Sequence, residues 1–192
     1  MTAINISAFT EQIGDRDLER LCADNPEMRF ETTSSGKLII MSPTGSESGR
    51  KNTRLVFQVE LWNTKTNLGV TFDSSTGFKL SNGATRSPDV SWIETSRWQA
   101  IPKAQQRKFA PLDPDFVIEL MSPTDDRDEL QQKMKEYTDC GVRLGWLICP
   151  DQKQVEIYCQ GGTKEVLDNP SSLSGEDVLP GLSVDLADIF TD

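Results

Sequence analysis

The segment DFVIEL, residues 115–120, constrains the fold of this chain more than any other stretch. Successive side chains of a strand point to opposite faces of a sheet, and here Phe116, Val117 and Ile118 are all apolar. A strand that is apolar on both faces is typical of the centre of a sheet covered on both sides. We therefore predict an α/β fold in which helices flank a mixed central sheet.

Two long helices are predicted to pack on that sheet. The first runs from Ser46 to about Lys65, where apolar residues recur at helical spacing and Ser46 is the expected N-cap. The second runs from Asp126 to about Cys140, where Asp126 and Glu129 stand at capping-box spacing. Each helix follows a predicted strand.

The other predicted strands are short and are separated by turn residues. Residues 28–42 are predicted to form a hairpin with its turn at residues 34–36. Further strands are expected at LGVTFD, GFKL and PDVSWI, and at LGWLIC and QVEIYC after the second helix. Residues 94–112 are polar and basic and are expected to cross the surface. The acidic remainder holds one more hydrophobic piece, VDLADIF.

The length of 192 residues predicts one domain, residues 1–192, with an acidic C-terminal segment from about residue 165. Seven of the acids follow Lys164, and the whole chain carries a net charge of −10. This charge argues against a broad surface that coats nucleic acid. Basic residues cluster at 50–54 and at 97–108, and they form either a local phosphate-facing patch or ordinary solvated faces.

Histidine is absent, which excludes Ser-His-Asp and Cys-His catalysis and histidine-based zinc sites. Any catalysis must therefore use carboxylates, lysine, hydroxyls or the backbone. The four cysteines lack CxxC spacing, which favours reduced thiols inside a cell. No apolar window approaches 18 residues and the N-terminus lacks the pattern of a signal peptide, so we expect a cytoplasmic protein without a membrane partner.

The tetrapeptide MSPT occurs twice, at residues 41–44 and 121–124. Both copies stand where a predicted strand leads into a predicted helix, where Pro ends the strand ladder and Ser or Thr can bond free helix N–H groups. The flanking residues differ, which argues against an internal duplication. The first copy follows an apolar strand, whereas the second follows a strand that contains Glu119.

Glu119 needs a physical explanation, because a carboxylate in an apolar strand is costly to ionise unless it is paired, hydrogen-bonded or bound to a metal. Asp89 is a second acid, at the start of the strand PDVSWI. Two acids that converge from neighbouring strands would form the oxygen-rich site that Mg²⁺ or Mn²⁺ prefers. Structural alternatives stay open: Asp89 as a turn residue after proline, and Glu119 as a structural carboxylate. Asp115 lies on the same strand face and is expected only to begin the strand.

Lys133 is the third candidate. On a helical projection it lies roughly 60° from Leu130, at the edge of the apolar stripe of the second helix, whereas Lys135 points away from that stripe. Lys133 can therefore reach back toward the sheet, where an ammonium would stabilise negative charge on a phosphate under attack. The alternative is a boundary lysine whose stem covers apolar surface.

The succession LIIMSPTG, RSPDVSWI and PDFVIELMSPTDDRDELQQKMKEYTDCGV, followed by GWLICP and QVEIY, resembles the Uma-type family of endonucleases within the PD-(D/E)XK restriction-endonuclease-like superfamily. The similarity extends from about residue 10 to about residue 165. Its most specific part is residues 114–142, where a PD pair, E-x-x-S-P and K-x-x-x-Y-x-x-x-G-V follow in order.

The resemblance implies a restriction-endonuclease-like fold and a Mg²⁺- or Mn²⁺-dependent endonuclease that hydrolyses nucleic acid, with DNA as the expected substrate. Asp89 and Glu119 match the metal-binding acids, and Lys133 matches the catalytic lysine. Position 121, where the superfamily usually has its lysine, is Met, but Uma-type sequences place the lysine on the following helix. Glu31 matches an upstream acid, although its distance from Gly36 is longer here.

Two rival functions stay open from the sequence. One is a catalytically inactive module of the same fold that binds nucleic acid or protein. The other is a structural protein that dimerises through exposed apolar surface. The pairs at 145–146 and 149–150 also depart from the family pattern, at positions expected to be structural. Many nucleases that cut both strands are dimers, so a homodimer is a further open alternative.

Overall fold

The computed structural model describes residues 13–26, 28–41 and 43–191. Its helices, in chain order, are α1 Asp15–Asp24, α2 Ser46–Thr66, α3 Thr95–Ala100, α4 Lys103–Gln106, α5 Arg127–Asp139 and α6 Ala187–Phe190. Its first six strands are β1 Arg29–Thr32, β2 Leu38–Met41, β3 Gly69–Asp73, β4 Phe78–Lys79, β5 Thr85–Arg86 and β6 Val90–Glu94. The others are β7 Phe116–Leu120, β8 Leu144–Cys149, β9 Gln154–Cys159, β10 Thr163–Asp168, β11 Ser172–Ser174 and β12 Ser183–Asp185. Among the described helices none is long and apolar enough to cross a bilayer.

A six-stranded sheet forms the centre of the structure, in the order β10-β9-β8-β7-β6-β3. Strands β7 and β8 are parallel, and the other neighbours are antiparallel. Every residue of β7 is buried, as expected for a strand that is covered on both faces. The predicted α/β fold, with a mixed central sheet flanked by helices, is therefore confirmed.

The two faces of the central sheet bury different partners. On one face, alternate residues of β7 such as Phe116 and Ile118 pack with Leu55 and Val59 of α2 and with the segment after residue 172. On the other face, Val117 packs with Met134 and other residues of α5. Glu119 has the same strand parity as Val117, so its side chain points toward α5.

A second sheet of four short strands, β2-β1-β5-β4, stands beside the first. Its hairpin β1–β2 corresponds to the predicted hairpin, of which Ser42 lies outside the described residues. The predicted strand GFKL is shorter, Phe78–Lys79, and it pairs with β5, which the sequence did not indicate. The hairpin register sets Glu31 opposite Ile39. The sequence pattern did not distinguish this sheet from the central one.

Helix starts differ in part from the predictions. Gly45, and not Ser46, is the N-cap of α2, and no side chain caps that helix. The predicted N-cap of α5 is confirmed, because the Asp126 carboxylate accepts hydrogen bonds from the N–H groups of Asp128 and Glu129 at 2.8 and 3.1 Å. The Glu129 side chain does not complete a capping box with the Asp126 N–H. Helix α1 and strands β10 and β11 were not predicted. Part of the acidic C-terminal segment therefore extends the central sheet as β10.

The end of α2 is held to the central sheet by one buried amide. Asn63 Oδ1 accepts hydrogen bonds from the Gly69 N–H at 3.1 Å and from Trp92 Nε1 at 2.9 Å. Gly69 is required at this point, because a Cβ there would lie 2.3 Å from the Ile93 carbonyl oxygen and 2.3 Å from the Trp92 ring. Neither neighbour can move without disturbing the sheet.

We predict that Gly69→Ala lowers the free energy of unfolding by about 3 kcal/mol, since the added methyl group overpacks the backbone of β6. Gly49→Ala is the matched control, because a Cβ at Gly49 meets only Thr44 Cγ2 at 3.9 Å inside α2. That variant is expected to gain about 0.5–1 kcal/mol from helix propensity. Urea denaturation of both variants measures the difference, and equal stabilities would contradict the prediction.

Candidate active site

An open cleft of about 790 Å³ lies at the ends of β2 and β7 and beside the start of α2. Residues of both MSPT copies line it: Met41, Pro43 and Thr44 from the first and residues 121–124 from the second. The Oγ atom of Ser48 in α2 lies 3.3 Å from the Oγ atom of Ser122, which follows β7. The two copies therefore end strands and lead into helices on the same cleft. The helix N-caps, however, are Gly45 and Asp126, and no described Ser or Thr of either copy bonds a helix N–H group, so the predicted capping role is wrong for the described residues.

Asp89 and Glu119 enter this cleft from neighbouring antiparallel strands. The register of β6 and β7 pairs Val90 with Ile118, and one further step along it places Asp89 opposite Glu119. Cβ atoms at directly opposed positions lie about 4.5–5.5 Å apart. Both side chains point to the face that α5 covers, so the two acids predicted from the sequence are brought together.

Two hydrogen bonds hold the Asp89 carboxylate in place. Oδ2 accepts from the Leu120 N–H at 2.9 Å, and Oδ1 accepts from Asn52 Nδ2 of α2 at 3.0 Å. Burial raises the pKa of Asp89, although both hydrogen bonds and the charge of Lys133 act against this increase. Asp89 is only partly buried and lines the cleft, so its oxygens remain available to a ligand.

Glu119 is 4% exposed and is held through one oxygen only. Its Oε1 accepts from Lys133 Nζ at 2.9 Å and from the Tyr137 hydroxyl at 2.8 Å. Among the described residues no donor bonds its Oε2. Burial raises the pKa of Glu119 to about 7, and the nearby charges of Asp89 and Glu31 add to the increase, while Lys133 opposes it.

Lys133 stands between two carboxylates, 2.9 Å from Glu119 Oε1 and 3.0 Å from Glu31 Oε1. Burial acts to lower its pKa, but the two carboxylates outweigh this effect and hold the pKa well above its ordinary value. The raised pKa favours the ammonium form of Lys133. Lys135 points to solvent and pairs with Asp139 at 2.6 Å, in agreement with the helical projection.

Glu31 reaches the site from the second sheet. Arg86 of β5 donates to its Oε2 at 3.0 Å, and the Ser87 N–H donates to its Oε1 at 2.9 Å. Burial alone would raise the pKa of Glu31, but Lys133 and Arg86 hold it below its ordinary value. No pattern in the sequence pointed to Glu31, and only the family likeness suggested it.

Three further residues of the site were not expected from the sequence. Arg86 bridges Glu31 and Glu136, with a bond to Glu136 Oε2 of 2.6 Å. Asn52 looked like one polar residue of an amphipathic helix, and Tyr137 looked like part of the apolar face of α5. Tyr137 is part of the family motif K-x-x-x-Y-x-x-x-G-V, but the motif does not give its hydrogen-bonding role. The roles of Arg86 and Asn52 depend on partners that are distant along the chain, so no local pattern pointed to them.

Asp115 does not join the cluster. It directly precedes β7, at the end of the strand opposite to Glu119. Four residues of extended strand separate the two acids by about 13 Å. Its carboxylate pairs with Arg97 at 2.7 Å and accepts a hydrogen bond from the Glu94 N–H at 2.9 Å. These contacts make it a structural acid at the start of the strand.

A family model described as "Uma2: Putative restriction endonuclease" matches residues 15–187. The chain belongs to the Uma2 family. Membership supports a nuclease-like function, and it confirms the resemblance found in the motifs. No curated protein matches the chain significantly.

The fold also occurs in a solved relative, a crystal structure described as "a putative nuclease belonging to DUF820" from Anabaena variabilis. It superimposes on this Uma2 chain with a TM-score of 0.69 and is 23% identical in sequence. The match covers 84% of this chain and 89% of the other. This similarity shows that the two proteins share a fold.

The residues present fit the divalent metal that restriction-endonuclease-like proteins generally use. Within the described ranges no three acidic or thiol side chains form a ready-made metal cage. Mg²⁺, however, is usually held by only one or two carboxylates together with waters and substrate phosphates. Asp89 and Glu119 could form such a pair, since Glu119 Oε2 has no described partner and Asp89 lines the cleft.

The charge balance of this Uma2 site also favours a bound cation. The charged groups around Lys133 are the carboxylates of Glu31, Asp89, Glu119 and Glu136 and the cations of Arg86 and Lys133, and Arg29 lines the cleft near Asp89. When all of these groups are ionised, one negative charge remains uncompensated. A cation bound beside Asp89 and Glu119 would offset this excess.

We predict that Mn²⁺ affinity falls as the pH falls through about 7. Glu119 must be ionised to act as a ligand, and its raised pKa of about 7 means that this form is lost below neutrality. About a tenth of the groups would be ionised at pH 6 and about nine-tenths at pH 8, so the affinity should differ by about tenfold. The raised pKa of Asp89 acts in the same direction.

Calorimetric titration with Mn²⁺ at pH 6, 7 and 8 measures this dependence. Glu119→Gln should bind Mn²⁺ more weakly and should lose the step in affinity near pH 7. An affinity that is constant from pH 6 to pH 8 in the wild-type protein would show that Glu119 does not control binding.

Proposed function

We propose that this Uma2 protein is a Mg²⁺- or Mn²⁺-dependent endonuclease of the PD-(D/E)XK type that hydrolyses phosphodiester bonds in DNA. Asp89 and Glu119 would hold the metal, and Lys133 would be the catalytic lysine. The observation that carries the proposal is the contact of Lys133 Nζ with Glu119 Oε1 at 2.9 Å, beside Asp89 in an open cleft.

Asp89 and Glu119 would present their carboxylate oxygens to the metal in different ways. Asp89 is fixed by Asn52 and by the Leu120 N–H, so it cannot turn away from the cleft. Glu119 is fixed at Oε1 and presents Oε2. The metal, when bound, supplies Lewis-acid polarisation of the scissile phosphate.

Lys133 serves as a charge and not as a base. Its raised pKa keeps it protonated, and a protonated amine cannot remove a proton from water. An ammonium has three N–H donors, and Glu31 and Glu119 each take one. The third can point toward the cleft, where it would stabilise negative charge that develops on the phosphate.

The surroundings of the cleft favour a narrow contact with nucleic acid. The protein carries a net charge of −10, so a wide contact would repel phosphates. Arg29 and Lys51 line the cleft together with Lys133, and Lys51 is itself paired with Glu47 at 2.5 Å. These few cations could contact the phosphates of one short segment of a nucleic-acid strand. A homodimer and a cytoplasmic location remain predictions from the sequence.

We predict that Glu119→Gln and Lys133→Gln each reduce the rate of metal-dependent DNA cleavage by about 100-fold or more. The first loses a metal ligand, and the second loses the charge that stabilises the transition state. Cleavage of plasmid DNA, single-stranded DNA and RNA with Mg²⁺, Mn²⁺ or EDTA measures the rates and the substrate preference.

Lys135→Gln is the matched control for Lys133→Gln. It removes a lysine from the same helix, but one that is 70% exposed and pairs only with Asp139. Its activity should equal that of the wild-type protein, and thermal melting should show that all three variants are folded. If the wild-type protein neither cleaves nucleic acid nor binds Mn²⁺, the proposal is wrong and an inactive nuclease-fold module becomes the better account.

A further inference from the structure

The two tyrosines of the chain make the same kind of contact in different surroundings. The Tyr137 hydroxyl donates to Glu119 Oε1 at 2.8 Å, and the Tyr158 hydroxyl donates to Glu156 Oε2 at 2.6 Å. Both glutamates are almost fully buried, at 4% and 1% exposure. Each tyrosine hydroxyl therefore donates its one O–H hydrogen bond to a buried carboxylate.

The two carboxylates differ in what else they bind. Glu156 has donors on both oxygens, because Arg127 and Gln131 donate to Oε1 while Tyr158 and Lys164 donate to Oε2. Glu119 has both of its described donors on Oε1. With at least two donors on each oxygen, the Glu156 carboxylate has its acceptor positions filled, whereas each oxygen of Asp89 accepts one described hydrogen bond and Oε2 of Glu119 accepts none.

Both donors to Glu119 come from one face of α5. Lys133 and Tyr137 are four residues apart, which places them one turn apart on a helix. The terminal torsion of a glutamate side chain is broad and roughly two-fold, so one donor alone would let the carboxylate rotate and exchange its oxygens. A lysine ammonium is a weak restraint, because it can rotate with the oxygen that it bonds. The phenol is held by a ring that is completely buried.

We propose that Tyr137 is a positioning residue for the metal site. Its hydroxyl, together with Lys133, fixes Oε1 of Glu119 and so turns Oε2 toward the cleft beside Asp89. The inference rests on the proposed metal-dependent function, and it adds a specific task for a residue that does not touch the metal or the substrate. A buried phenol also needs an acceptor, and Glu119 is the one that Tyr137 has among the described residues.

The test compares Tyr137→Phe with Tyr158→Phe. Each substitution removes one oxygen and leaves the ring in its packed position, so each loses one hydrogen bond to a buried glutamate. The melting temperatures of the two metal-free variants should therefore fall by similar amounts. Mn²⁺ affinity, measured by calorimetry, should fall about tenfold or more in Tyr137→Phe, as is typical when a hydrogen bond to a metal ligand is lost. Tyr158→Phe should bind Mn²⁺ as tightly as the wild-type protein.

A second readout separates positioning from general damage. The Mg²⁺ concentration that gives half-maximal cleavage should rise in Tyr137→Phe, while the rate at saturating Mg²⁺ should stay much closer to the wild-type rate. Equal Mn²⁺ affinity in Tyr137→Phe and wild-type protein would overturn this inference alone. Equal weakening in both tyrosine variants would also overturn it, since the effect would then come from lost stability. A wild-type protein that binds no Mn²⁺ would overturn the proposed function, and the inference with it.

Discussion

The ion pair of Lys133 with Glu31 and Glu119 is the interaction on which the site depends. It joins three separate parts of the fold: α5, the hairpin of the second sheet, and the central strand β7. Glu31 and Glu119 are almost inaccessible to water and the Lys133 side chain is 12% exposed, so each charge is costly there without its partner. Through Lys133, Glu31 of the second sheet is held next to Glu119 of the central sheet. The cleft is lined by residues of both sheets.

Two buried glutamates on one face of the central sheet show how the surroundings decide the use of a carboxylate. The strand registers align Glu119 with Leu147 and Leu147 with Glu156, so the two acids stand in one row across the sheet. Burial acts to raise the pKa of Glu156, but hydrogen bonds from Tyr158, Arg127, Lys164 and Gln131 lower it to about 2. Burial raises the pKa of Glu119 to about 7, because fewer donors offset it.

The two glutamates therefore differ in how completely hydrogen bonds and ion pairs compensate their burial. Glu156 holds the first half of α5 to β9 through Arg127 and Gln131, and its carboxylate is paired with the cations of Arg127 and Lys164. The cluster around Glu119 keeps an oxygen, Oε2, without a described donor. The first cluster therefore helps to hold the helix from which Lys133 and Tyr137 reach the second.

The sequence by itself determined the central strand, the two long helices and the candidates Asp89, Glu119 and Lys133. It could do so because an acid in an apolar strand and a lysine at the edge of an apolar stripe are local departures from simple periodicity. The absence of histidine further limited the chemistry to carboxylates and lysine. Only the tertiary structure decided that Glu31 is the second partner of Lys133 and that Tyr137 bonds Glu119. Glu31 and Lys133 are 102 positions apart, and their contact requires that two sheets pack side by side. Spacing within one helix or strand carries no information about such a contact, because it is set by how the elements pack.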